Sequence, residues 1–122
     1  MPRQVQDRRE DGRRRLPEFV EAEIAFNAPD GSAHRYPLKE LSVNGGSFEL
    51  PARVPGLEPG AACSAGRVCV GDIEIKVNLQ IRHVTRGVGT SYECGARLFP
   101  TSDEDRNEMA ALISRLYSMP TA

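Results

Sequence analysis

Tryptophan is absent from this chain of 122 residues, aromatic residues make up only 6%, and the three cysteines form no C-x-x-C pair. With Cys63, Cys69 and Cys94 odd in number, the spacing offers neither a disulfide framework nor a zinc knuckle. Reduced thiols are expected, with Cys69 and Cys94 buried. His34 and His83 are the only histidines, and each sits in a strand-like pattern without a carboxylate or thiolate at ligand spacing. Both read as packed or surface residues rather than metal ligands. No apolar run approaches the roughly 18 residues of a membrane-crossing helix, and the first residues lack the apolar core of a signal peptide. Membrane insertion is therefore not expected, and the chain reads as cytoplasmic. Sixteen basic against seventeen acidic side chains give a net charge of -1, which supplies no global positive field for DNA or RNA. Phosphate-loop, H-E-x-x-H, G-x-S-x-G and strand-associated G-x-G-x-x-G motifs are all missing, and Gly87-Val88-Gly89 reads as a hairpin turn. An enzyme is the least favoured class, with no catalytic residue, metal site or cofactor assigned.

What is present divides the chain into a tail, a run of strands and a closing helix, on a length suited to one compact domain. Residues 1–16 carry many charges and almost no apolar periodicity, the composition of a flexible, arginine-rich tail. From Glu18 the pattern changes: Val20, Ala22, Ile24 and Phe26 alternate with Phe19, Glu21, Glu23 and Ala25, as in a strand with one buried face. Pro29-Asp30-Gly31 supplies turn chemistry, and a second strand is predicted over 33–41. Gly45-Gly46 reads as a tight turn into a short third strand, Ser47 to Leu50. Val68 and Val70 mark a short strand. Ile73, Ile75, Val77, Leu79 and Ile81 mark a long one, and Tyr92, Cys94, Ala96 and Leu98 mark a last.

Ser102, three residues before Asp105, announces a helix over 102–118 whose stripe of Met109, Leu112, Ile113, Leu116 and Tyr117 docks on the strands. Strands joined by hairpins without interleaved helices predict an all-β fold with a C-terminal helix. The expected form is a six-stranded antiparallel β-barrel over residues 17–120, because closure removes exposed sheet edges.

Two constellations carry chemistry. Arg8-Arg9 followed by Arg13 places guanidinium forks on the tail, groups that match phosphate oxygens, stack on purines and bond the O6 and N7 acceptors of guanine. Glu40-Leu41-Ser42-Val43-Asn44-Gly45-Gly46 places an acid, a hydroxyl and glycines at a strand end, with Glu40 and Ser42 expected on one side and Gly45 shaping the turn. At these residues the chain resembles the PilZ domain family, whose pattern is R-x-x-x-R on an N-terminal tail and [D/N]-x-S-x-x-G at the barrel surface. Here these are Arg9 to Arg13 and Glu40 to Gly45. Gly95-Ala96-Arg97-Leu98-Phe99 at the last strand and the C-terminal helix extend the likeness over residues 8–118.

The resemblance implies a cytoplasmic bacterial receptor for cyclic di-GMP, with no further cofactor, whose tail wraps the ligand against the barrel. By that likeness Arg9 and Arg13 hold guanine edges and phosphates, Glu40 and Ser42 contact guanine, and Arg8 resembles that of members binding a stacked ligand pair. Glu40 departs from the pattern by one methylene, a change that can weaken binding by about 1 kcal/mol. The implied output passes through a downstream protein partner or through self-association, a homodimer included. Two rival classes are a degenerate PilZ-like adaptor in pilus or flagellar motility that binds no nucleotide, and a single-stranded nucleic-acid binder. The few aromatics and the net charge oppose the second.

Overall fold

The computed structural model describes residues 21–117 together with the backbone of residues 14 and 15. The elements are β1 (Arg14–Arg15), β2 (Ala22–Asn27), β3 (Ala33–Leu41), β4 (Gly45–Leu50), β5 (Ala62–Val70), β6 (Ile73–Arg86), β7 (Tyr92–Pro100) and α1 (Asp103–Tyr117). Six of the strands follow one another around the sheet as β3-β2-β5-β6-β7-β4, and β4 pairs back onto β3. All of these pairings are antiparallel, so the sheet closes into a six-stranded antiparallel barrel with a C-terminal helix, the predicted fold class.

Period-two alternation fills the interior. Ile75, Val77, Leu79 and Ile81 of β6 meet Ile24, Phe26, Phe48, Leu50, Val68 and Cys94 in one core, while Glu74, Lys76, Asn78, Gln80 and Arg82 face out. Tyr36 and Phe48 stack with ring centroids 5.6 Å apart, and Phe26 packs tilted against both. Helix α1 closes the molecule by burying Met109, Leu112 and Leu116. At its start, as the capping-box-like sequence predicts, Asp105 N–H donates to the N-cap Ser102 Oγ at 3.0 Å, and the Ser102 hydroxyl donates to Asp105 Oδ2 at 2.8 Å. The backbone N–H of Lys76 also donates to the Asp105 carboxylate, which ties the helix start to β6.

Four sequence expectations need correction. Gly45 and Gly46 are not a turn but the first two residues of β4, paired with Arg97 and Ala96. β5 begins at Ala62, well before Val68, because small residues and a bulge between Cys63 and Gly66 hide its periodicity; Ala65 there has φ 52°. Ala25, assigned to the solvent face, is buried between Arg35 and Arg67 on the flanking strands. Cys63 rather than Cys69 joins Cys94 inside, and Cys69 is half-buried on the outward face of its strand.

Candidate ligand-binding site

The turn from β3 to β4 is organised by one side chain. Ser42 is 2% exposed, and its Oγ accepts hydrogen bonds from the N–H groups of Asn44 and Gly45, both at 3.2 Å, while its own N–H donates to the Gly45 carbonyl at 2.8 Å. This is a Ser-centred turn, in which the hydroxyl replaces backbone partners that a tight reversal leaves unmatched. Ser42 therefore shapes the site from within. Val43, 41% exposed, forms its tip. Gly45 is required for close approach rather than for bending. A Cβ there would lie 2.6 Å from the Ala96 carbonyl oxygen, in a stretch where Leu98 N–H also donates to Asn44 O at 2.9 Å. At Gly46 a Cβ would stand 3.0 Å from the Glu40 carbonyl oxygen.

Glu40 sits on the outer face of β3, directly opposite Ser47 of β4, and the Ser47 hydroxyl donates to Glu40 Oε1 at 3.2 Å. Ser47 was not singled out from sequence; only the register reveals it. In antiparallel pairs opposite residues share a face. The outer row therefore runs Glu40 (β3), Ser47 (β4), Gly95 (β7) and His83 (β6), and the next row holds Gly45, Arg97 and Gln80. Arg97, whose guanidinium lies 5.3 Å from the Phe99 ring centroid, thus brings a cation beside the turn.

The tail reaches the same place. Arg14 pairs with Leu41 and Arg15 with Glu40. β4 takes the other edge of β3 at these residues, so β1 occupies the edge that β2 leaves after Pro37. The Leu41 carbonyl is also an acceptor for the Tyr117 hydroxyl at 2.8 Å, which anchors the end of α1 to the site strand. Of the predicted residues, Glu40, Ser42, Gly45 and Gly46 are brought together here, whereas Arg8, Arg9 and Arg13 lie outside the described residues.

Elsewhere, a cleft of about 590 Å³ on the outside of β2, β3 and β5 is lined by Glu21, Glu23, Arg35, Pro37 and Cys69, with Arg35 and Glu23 bridged at 2.6 Å. Among the described residues no three His, Cys, Asp or Glu side chains could hold a metal ion, and no helix is long and apolar enough to cross a membrane. Burial pushes the Cys94 thiol up to about 12, with Cys63 adding to it, and raises Cys63 as well. Both stay protonated thiols at neutral pH.

The barrel, with its C-terminal helix and the Ser-centred turn beside Glu40, has the fold of solved PilZ-domain structures. No family model and no curated protein matches the chain in sequence, but solved structures match it in fold. The PilZ domain of YcgR from Escherichia coli with c-di-GMP superposes with a TM-score of 0.76 at 20% identity, covering 92% of this chain and 93% of that one. The K. pneumonia MrkH-c-di-GMP complex gives 0.78 at 17% identity, covering 92% of this chain and 53% of MrkH. The Bacillus subtilis inhibitor of motility MotI/DgrA gives 0.60 at 13% identity. The chain thus has the PilZ fold and spans about half the length of MrkH.

Proposed function

We propose that this chain is a receptor module for cyclic di-GMP that binds rather than catalyses, and that it signals through a protein partner. The observation that carries the reading is the pairing of Arg14–Arg15 with Glu40–Leu41. Consecutive Cα atoms are about 3.8 Å apart, so Arg13 is one step of chain from Arg14, and Arg9, five residues from Arg14, is within about 18 Å of extended chain. Two c-di-GMP complexes among proteins of the same fold support the choice of ligand.

In this reading Arg9 and Arg13 supply donor forks to phosphates and guanine edges, with Arg8 adding a third cation, and the Glu40 carboxylate accepts from guanine N1–H and N2–H. Ser42, Gly45 and Gly46 hold the lip against which the base rests. Ordering of the tail around the ligand changes the surface offered to a partner, so the output is a ligand-dependent interface. Isothermal titration of the chain with cyclic di-GMP, with Arg9→Ala, Arg13→Ala and a GTP control, is the test. Micromolar or tighter binding that both variants abolish is expected. No binding at high ligand concentration would overturn the receptor reading in favour of an adaptor that binds protein alone.

A further inference from the structure

His83 is half-buried, its Nδ1 is fully shielded from solvent, and that nitrogen has no hydrogen-bond partner. A buried polar atom left without a partner is unfavourable, and an apolar residue at this position would avoid that cost. The ring also determines its neighbour. It reaches across to β7 so that a Cβ on Gly95 would stand within 2.8 Å of Nε2, Cδ2 and Cε1, with Nε2 the nearest. Gly95 is therefore a glycine because an imidazole tip occupies the space of a side chain there. Gly95 is paired with Ser47, and Ser47 with Glu40. The Nε2 tip thus stands about two strand spacings, roughly 10 Å, from the β3 backbone that carries Glu40.

We propose that His83 is a ligand-contacting residue of this site: its Nε2–H donates to an acceptor on the guanine edge of a nucleotide whose N1–H and N2–H face Glu40. The inference rests on the nucleotide-receptor reading and adds a wall to it, opposite the arginine tail. The chemistry is complementary. Guanine offers donors to a carboxylate on one side and the acceptors O6 and N7 on the other, and Nε2 carries the proton when the buried Nδ1 does not. Gly45 leaves the row beside Arg97 without a side chain, and the His83 ring lies over Gly95, so a flat base placed between Glu40 and Arg97 meets the imidazole at its edge.

The experiment is titration of the wild-type chain, His83→Ala, His83→Phe and Gly95→Ala with cyclic di-GMP, with thermal unfolding of each variant alongside. Both His83 variants are expected to raise Kd about tenfold or more, the loss of one good hydrogen bond to a ligand. His83→Phe keeps a ring but no donor, so it separates the hydrogen bond from packing. Gly95→Ala displaces the imidazole and is expected to reproduce the loss. The Gly95→Ala/His83→Ala double variant should then be no weaker than either single one, because both remove the same contact. Unchanged affinity in both His83 variants, with wild-type binding intact, would overturn the proposal and leave the receptor reading standing. Altered melting with unchanged affinity would assign His83 to packing alone. Failure of the wild-type chain to bind would overturn both readings.

Discussion

Ser42 organises its turn from a position 2% exposed, and its hydroxyl oxygen is the acceptor for two neighbouring N–H groups. Ser42→Ala leaves both donors without that partner in a confined turn and should cost about 1–3 kcal/mol, read from the midpoint of urea unfolding. Asp105 acts in the first turn of α1. The Ser102 hydroxyl above all, against an opposing effect of burial and with help from the Lys76 N–H and the Thr101 hydroxyl, holds its carboxyl below the ordinary carboxylate value. A depressed folded pKa means that the stabilisation is fully present above the unfolded value of about 3.9 and disappears as pH falls through the lower folded value. Asp105→Asn should therefore lower the melting temperature at pH 7, and the gap to wild type should close toward pH 2. Equal gaps at both pH values would show that the charge is not what matters.

At the scale of elements, β4 depends on having no side chain at its entry. Gly45→Ala places a Cβ against the Ala96 carbonyl, which is backbone and cannot swing aside, so β4 must separate from β7 at Arg97. Loss of stability together with weaker amide protection at Leu98, whose N–H is held by Asn44 O, is the expected hydrogen-exchange result. Helix α1 is joined to the barrel by burial and by hydrogen bonds at its two ends, Asp105 to Lys76 and Tyr117 to Leu41. Leu112→Ala should cost about 2–5 kcal/mol in chemical unfolding as a core truncation. Tyr117→Phe, which removes the hydroxyl that donates to Leu41 O, should cost about 0.5–1.5 kcal/mol in the same measurement. The helix was legible in sequence down to its cap because capping and amphipathicity are local signals. β5 was legible only in its second half, since Ala65 and Gly66 interrupt the period-two pattern with a bulge.

For the whole molecule, closure of β4 onto β3 brings β3, β4, β6 and β7 into one outer surface on which Glu40, Ser47, His83 and Arg97 meet. A ligand that binds this folded surface, and not the unfolded chain, stabilises it by mass action. Cyclic di-GMP at about 100 times its Kd should add about 2.7 kcal/mol and raise the melting temperature in a concentration-dependent way. The Arg13→Ala chain should show no such shift. Differential scanning calorimetry measures both.

Alternation at period two, turn residues and the helix cap are properties of neighbouring residues, and they were sufficient to determine an antiparallel all-β chain closed by a helix. The same local order placed an acid, a hydroxyl and glycines at the end of β3. Register was not local. Which residue of β4 faces Glu40, which residue of β7 must be a glycine beneath His83, and which carbonyl Tyr117 reaches are relations between segments as far as 76 residues apart. Only the closed barrel decided them. A strand pattern specifies which face is buried, whereas the partner across the ladder depends on how every other strand is packed.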